Sequence, residues 1–199
     1  MKQLSKMLHN KYFEIMKQYL GDYNRVIYGR ELVTKIPLSQ KGIALALSEL
    51  EGQNVLKSER KGNVKNYKLN LENAGIKDVL SVSETLKKMN FFMQNSKLAD
   101  IFKHDERIVG IFGSYAKGKQ KKNSDIDIFI IGGKKEDDYD SNGKAFDLDI
   151  SIKYFSAEEF VSLLRNKNPL CKEIIANHIN IFGTEQFIDA VWRYYYGFN

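Results

Sequence analysis

Apolar residues at helical spacing open the chain: Leu4, Met7, Leu8, Ile15, Tyr19 and Leu20, with Phe13 and Met16 beside them, ahead of the stop signal Gly21-Asp22. This pattern predicts a first helix. A second helical stretch covers about residues 29–35 and must end before Pro37, because a proline pushes the residue before it out of the helical region. Ser39 then reads as the N-cap of a third helix over residues 40–51, in which Ile43, Ala44, Leu47 and Leu50 share one face while Gln40, Lys41 and Ser48 turn to solvent. Two extended segments, 55–59 and 64–69, flank the turn-forming cluster Arg60-Lys61-Gly62-Asn63 and predict a hairpin with a charged tip. Over residues 76–102 Val79, Leu80, Leu86, Met89, Phe92, Met93, Leu98 and Ile101 recur at helical spacing, which predicts one or two linking helices that pair with a second copy of the chain.

The pattern then changes period. Ile108-Val109-Gly110-Ile111-Phe112 is a short apolar run that reads as a buried strand, and Ile128-Phe129-Ile130-Ile131 reads as another. Residues 132–144, with Gly132-Gly133, Glu136-Asp137-Asp138-Tyr139-Asp140 and Ser141-Asn142-Gly143, read as a solvent loop. In the next segment Phe146, Leu148, Ile150, Ile152 and Tyr154 alternate with Asp147, Asp149, Ser151 and Lys153, predicting a half-buried strand with one carboxylate-bearing face. Phe187, Ile188, Val191 and Tyr195 lie on one side of a last helix.

Composition narrows the class. A chain of 199 residues with 43% hydrophobic and 28% charged residues has the profile of a globular protein, and its length allows two small domains. One cysteine, Cys171, cannot form an internal disulfide, no apolar run approaches the ~20 residues of a membrane span, and the start lacks the apolar stretch of a signal peptide. A cytoplasmic protein is expected. The net charge of +6 divides unevenly: residues 1–90 carry 16 Lys and Arg against 9 Asp and Glu, whereas residues 91–199 carry 15 against 16. A basic first half suits a polyanionic partner; the second half, rich in carboxylates, suits different work.

That work is indicated by a spacing. Gly113-Ser114 is followed, after ten residues, by Asp125-Ile126-Asp127. Carboxylates at i and i+2 of a strand project from the same face and repel one another, an arrangement that a cation relieves. Mg²⁺ takes oxygen ligands, binds one or two carboxylates and completes its shell with water and substrate phosphate. A glycine that ends a strand lets the backbone approach such a phosphate, and Ser114 adds a hydroxyl donor. Lys117, Lys119, Lys121 and Lys122 lie between the two halves of the motif and supply positive charge there. The acidic strand over 146–154 offers a third carboxylate, Asp147 or Asp149, between which spacing alone does not choose.

Three helices followed by a charged hairpin resemble the winged helix-turn-helix domain, here over about residues 4–70. The resemblance implies that Ser39, Gln40 and Lys41 at the start of the third helix face bases, and that Lys57, Arg60, Lys61 and Lys65 of the hairpin face phosphates. In the second half, Gly113-Ser114-Tyr115-Ala116-Lys117-Gly118 and Ser124-Asp125-Ile126-Asp127-Ile128 resemble the signature of the minimal nucleotidyltransferases of the DNA polymerase beta-like superfamily, in which arginine is usual where Lys117 stands. What this second resemblance implies is that Gly113 and Ser114, with Lys117, hold the triphosphate, and that Asp125 and Asp127 bind two Mg²⁺ ions, with Mn²⁺ as a substitute. It also places Asp149 as the third catalytic and metal-binding carboxylate. The reaction implied is transfer of a nucleoside monophosphate from an NTP, ATP foremost, to a hydroxyl.

The expected architecture is therefore α+β. A winged helix-turn-helix occupies residues 1–72, a helical linker and dimerisation segment 73–104, and a small mixed-sheet nucleotidyltransferase domain with a C-terminal helix 105–199. Expected partners are an NTP, DNA through the winged helix, a protein acceptor and a second copy of the chain, with no membrane. Two other readings use the same residues: a DNA-binding regulator whose transferase fold senses nucleotide, and an antitoxin that adenylylates a helical toxin partner. His9, His104 and His178 show no ligand spacing. Cys171 reads as a small buried residue, and Trp192-Arg193-Tyr194-Tyr195-Tyr196 as the packing of a last helix.

Overall fold

A computed structural model of the chain describes residues 10–135 and 137–197. Leu4, Met7, Leu8 and His9 lie outside the described residues. The chain divides into two compact units, Met1–Leu86 and Lys87–Asn199. With the boundary there, the first unit holds 14 basic against 9 acidic residues and the second 17 against 16. No helix among the described residues is long and apolar enough to cross a membrane.

The first unit begins with helix α1 (Lys11–Met16), whose N-cap Asn10 accepts a hydrogen bond from the Tyr12 amide at 2.9 Å. Turns carry the chain on through Tyr19 and Leu20, both fully buried, and the Tyr19 hydroxyl donates to the Tyr67 carbonyl at 3.1 Å. A two-residue strand β1 (Ile27–Tyr28) and a short helix α2 (Gly29–Leu32) follow, so the second helix ends three residues earlier than its pattern suggests. Helix α3 (Gln40–Gly52) starts at Ser39, whose hydroxyl accepts from the Gly42 amide at 3.1 Å. Its buried stripe is Ile43, Ala46, Leu47 and Leu50, while Ala44 is exposed. The spacing i, i+3, i+4, i+7 is the one that keeps a helix face continuous, and Ala44 lies off it.

Strands β2 (Leu56–Lys61) and β3 (Val64–Leu69) pair antiparallel with Lys61 opposite Val64, and β1 adds to the other edge of β3. The turn is therefore Gly62-Asn63 alone, with Gly62 at φ +61°, and Arg60 and Lys61 belong to the strand. A two-residue turn requires positive φ and matches the strand twist better than the four-residue turn expected. Helix α4 (Ile76–Gln94) continues from this unit, and the unit boundary falls within it.

In the second unit, the short helix α5 (Ser96–Ala99) leads to a four-stranded sheet of order β6-β5-β4-β7. Its strands are β4 (Ile108–Phe112), β5 (Ile126–Ile131), β6 (Ile150–Phe155) and β7 (Ile179–Phe182). The β5 and β6 strands run parallel; β4 is antiparallel to both β5 and β7. Period-2 alternation divides the sheet into two buried faces. Val109, Ile111, Ile126, Ile128, Ile130, Ile179 and Ile181 pack with Leu98, Ile101 and Phe102 on one side. On the other, Phe129 is fully buried against Phe112 and Phe187. Gly110 makes room for that ring, since a Cβ there would come within 2.4 Å of Phe129.

Between these strands lie α6 (Gly113–Ala116), α7 (Tyr139–Lys144), α8 (Ala157–Arg165) and α9 (Pro169–Ala176), and α10 (Thr184–Tyr196) closes the chain. Ser156 and Glu159 cap α8 reciprocally, and Pro169 stands in the first turn of α9, where its missing amide hydrogen costs nothing.

Two expectations about this unit are corrected. Residues 132–144 are not simply a solvent loop: they contain α7, Tyr139 is buried, and Asp137 is held by Arg107 at 3.2 Å and by the Tyr154 hydroxyl at 3.0 Å. The acidic run has buried partners far away in sequence, which local polarity cannot reveal. The third strand starts at Ile150, not at residue 146. Residues 145–147 form a turn after α7, with Phe146 exposed and Asp147 at φ +57°.

Candidate functional site

The site forms where β4 ends and β5 begins. Every residue of β4 is buried, so the strand delivers Gly113 to a fixed place, where the chain turns at φ +69° into α6. Phe112 is paired with Asp127 across the ladder, and the Asp127 carboxylate lies against Gly113. A Cβ at position 113 would sit 2.2 Å from Asp127 Oδ2. Positive φ and this close approach both demand glycine, so the two halves of the motif are one packed feature.

The parallel ladder between β5 and β6 pairs Ile126 with Ile150 and Asp127 with Ser151, and the Ile126 amide donates to the Asp149 carbonyl at 2.9 Å. Asp125 and Asp149 therefore stand side by side at the two strand starts. Asp147 lies in the preceding turn, outside the ladder. Asp125 and Asp149 are exposed and Asp127 is half-buried. Burial pushes the Asp127 carboxyl above its ordinary range; repulsion from Asp125 and then Glu173 adds to this, and Lys153 opposes it.

Glu173 and Lys153 were not among the candidates read from the sequence. Lys153 occupies the polar face of the third strand, so alternation exposes its position though not its role. Glu173 sits on α9, and nothing local distinguishes it from any helical glutamate. Its carboxylate is 2.5 Å from the Lys117 ammonium, in the turn that follows α6. Ser114 is half-buried on α6; Lys119, Lys121 and Lys122 are exposed.

Among the described residues, no group of three or more His, Cys, Asp or Glu side chains is gathered closely enough to hold a metal ion. Asp125, Asp127 and Asp149 are thus brought to neighbouring backbone positions without forming a closed ligand set. The donors nonetheless suit a hard cation. Asp125 and Asp127 are oxygen donors, and the ionisation of Asp127 is opposed by its surroundings. Mg²⁺ asks only one or two carboxylates of a protein.

In the first unit, the candidates for nucleic-acid contact are differently engaged. Lys57 pairs with Glu72 at 2.6 Å, Lys61 with Glu59 at 3.1 Å and Lys65 with Glu51 at 2.6 Å, while the Ser39 hydroxyl caps α3. Lys41 and Arg60 make no ion pair among the described residues. A cleft lined by Arg30, Gln40, Asn63 and Lys65 brings the start of α3 to the hairpin tip.

His178 is buried, with Nδ1 against the Ile174 and Ile175 carbonyls at 3.1 and 2.8 Å and its ring on Phe187, which is a packing role. Cys171 is buried and its thiol is pushed up to about 11 by burial, so no thiolate forms near neutral pH. On α10, Phe187, Ile188, Val191 and Trp192 are buried and Tyr195 is half-buried.

Residues 96–187 match the family described as "Polymerase beta, Nucleotidyltransferase". The match supports the nucleotidyltransferase superfamily for this segment, and the mixed sheet with its helices is consistent with such a domain. No curated protein and no solved structure matches the chain.

Proposed function

We propose that the second unit is a Mg²⁺-dependent nucleotidyltransferase that moves a nucleoside monophosphate from an NTP, ATP foremost, to a hydroxyl acceptor. The observation that carries this reading is the packing of the Asp127 carboxylate over Gly113, beside Asp125, at the end of a fully buried strand. In it, Gly113 and Ser114 receive the phosphates, and Asp125 and Asp127 hold Mg²⁺, which supplies charge neutralisation at the phosphates. Asp149, beside Asp125, accepts the proton of the acceptor hydroxyl. The hydroxyl oxygen bonds to the α-phosphorus as the bond to pyrophosphate breaks. Labelled ATP incubated with the protein, Mg²⁺ and candidate acceptors should yield pyrophosphate. An Asp125→Ala, Asp127→Ala double variant that releases as much as the parent would sink the catalytic claim.

In the same reading, residues 1–72 form a winged helix that recruits nucleic acid, supported by the basic charge of the first unit and by the cations of Lys41 and Arg60. A homodimer through the linking helix belongs to the same reading, with Met93 of α4 exposed. DNA affinity should fall steeply as salt rises, because phosphate contacts release counterions, and Lys41→Ala with Arg60→Ala should flatten that slope by about two. Filter binding at several salt concentrations measures it; a slope unchanged by the double variant would remove these residues from the interface.

A further inference from the structure

Lys117 and Glu173 join two elements of the site. Lys117 follows α6, which begins at Gly113, and Glu173 lies on α9; their side chains meet at 2.5 Å while remaining 35% and 39% exposed. An ion pair this open to water contributes little to stability, so its presence is not explained by the needs of the fold. Its neighbourhood is acidic: Glu173 is close enough to Asp127 to disfavour that carboxylate's charge, and Asp125 adds to the same field. Lys117 is therefore a cation at the phosphate-facing turn whose charge is already taken up. An ammonium is a rotatable point charge, unlike a guanidinium fork locked onto a carboxylate, so lysine can exchange one oxygen partner for another.

We propose that Glu173 is a specificity-determining gate for the nucleotide: it holds Lys117 while no nucleotide is bound and yields it to the polyphosphate of an entering nucleoside triphosphate. This rests on the nucleotidyltransferase reading. A triphosphate must then win Lys117 from a carboxylate, and a ligand with few anionic oxygens does so poorly. Removing the carboxylate charge frees the lysine in advance and lowers the local negative field, so nucleotide binding tightens. A direct role for Glu173 in holding Mg²⁺ makes the opposite prediction, that its loss weakens binding.

The test is titration calorimetry of α,β-methylene ATP, which cannot lose pyrophosphate, in the presence of Mg²⁺ on the full chain. Glu173→Gln is expected to bind about two- to fivefold more tightly than the parent, in proportion to the worth of an exposed ion pair. That gain should disappear when Lys117→Met is introduced as well, since both changes act through one contact. Glu173→Gln that binds equally or more weakly, or a gain that persists in the Lys117→Met background, overturns the gate while leaving the nucleotidyltransferase reading intact. Absence of binding by the parent and every variant overturns both.

Discussion

Asp127→Asn is expected to lower nucleotidyl transfer by about a thousandfold, roughly 4 kcal/mol of barrier, and at the same time to raise Tm in metal-free buffer. The loss of rate follows from position. Asp127 is the carboxylate whose ladder partner is Phe112 and whose Oδ2 occupies the space above Gly113, so no neighbour can replace it without moving a buried strand. Asparagine keeps the shape and removes the charge that a cation requires. The gain in stability follows from the same surroundings. Burial, then Asp125 and Glu173, hold the Asp127 carboxyl above its ordinary range in the folded state, with Lys153 opposing. A carboxyl raised by folding binds its proton more tightly in the folded than in the unfolded chain, so its ionisation with rising pH weakens the fold. Asparagine removes that penalty. The difference in Tm between variant and parent should close as pH falls below the ordinary carboxylate value, where both side chains are neutral. A variant that keeps full transfer activity, or whose Tm falls at neutral pH, would contradict this account of Asp127.

Arg107→Met is the second large effect, and it concerns stability. The guanidinium is 7% exposed and binds Asp105 Oδ2 at 2.7 Å and Asp137 Oδ2 at 3.2 Å, while each carboxylate is 10% exposed. Tyr139 donates to Asp105 at 2.9 Å and Tyr154 to Asp137 at 3.0 Å. This network ties the segment before β4 to the residues that lead into α7 and to β6. Methionine fills the volume but leaves two half-buried carboxylates without that cation, a loss of about 1–3 kcal/mol, readable as a lowered denaturation midpoint of the second unit. The pH dependence is a separate signature. Burial alone would raise the Asp105 carboxyl, but hydrogen bonds from Arg107 and Tyr139 outweigh it and bring it to about 2. A carboxyl depressed in the folded state contributes stability above its ordinary value near ~4, and loses it as pH falls toward about 2. The parent should therefore weaken across that acid window. In Arg107→Met the window should narrow or vanish, because the guanidinium that holds the Asp105 carboxyl down is gone while the burial that raises it remains. A variant with unchanged midpoint and unchanged acid limb would show that the network contributes nothing to the fold.

Elements with strong periodicity were legible in sequence. The stripe of α3, the two long strands of the hairpin, β4, and β5 after Asp127 all follow from which positions must leave water. The Gly-Ser and Asp-x-Asp spacing was legible too, since it depends on local backbone chemistry. Short or partner-dependent features were not. The β1 strand is two residues held by an edge of β3, and α7 is stabilised by a tyrosine reaching Asp105 from a polar run. The third strand begins four residues later than alternation suggests, because apolar and polar residues alternate equally well through the turn around Asp147. This leaves Asp149, and not Asp147, beside Asp125.

By itself, then, the sequence determined the elements that bury an apolar face, the basic character of the first half and the spacing of Gly-Ser and Asp-x-Asp, because each depends on hydrophobic period or local side-chain chemistry. Only the tertiary structure decided which carboxylates share a neighbourhood, that Glu173 engages Lys117, and that Arg107 neutralises two distant aspartates. Those pairings arise when separated strands and helices pack, and no local pattern records which surface a charged side chain will meet.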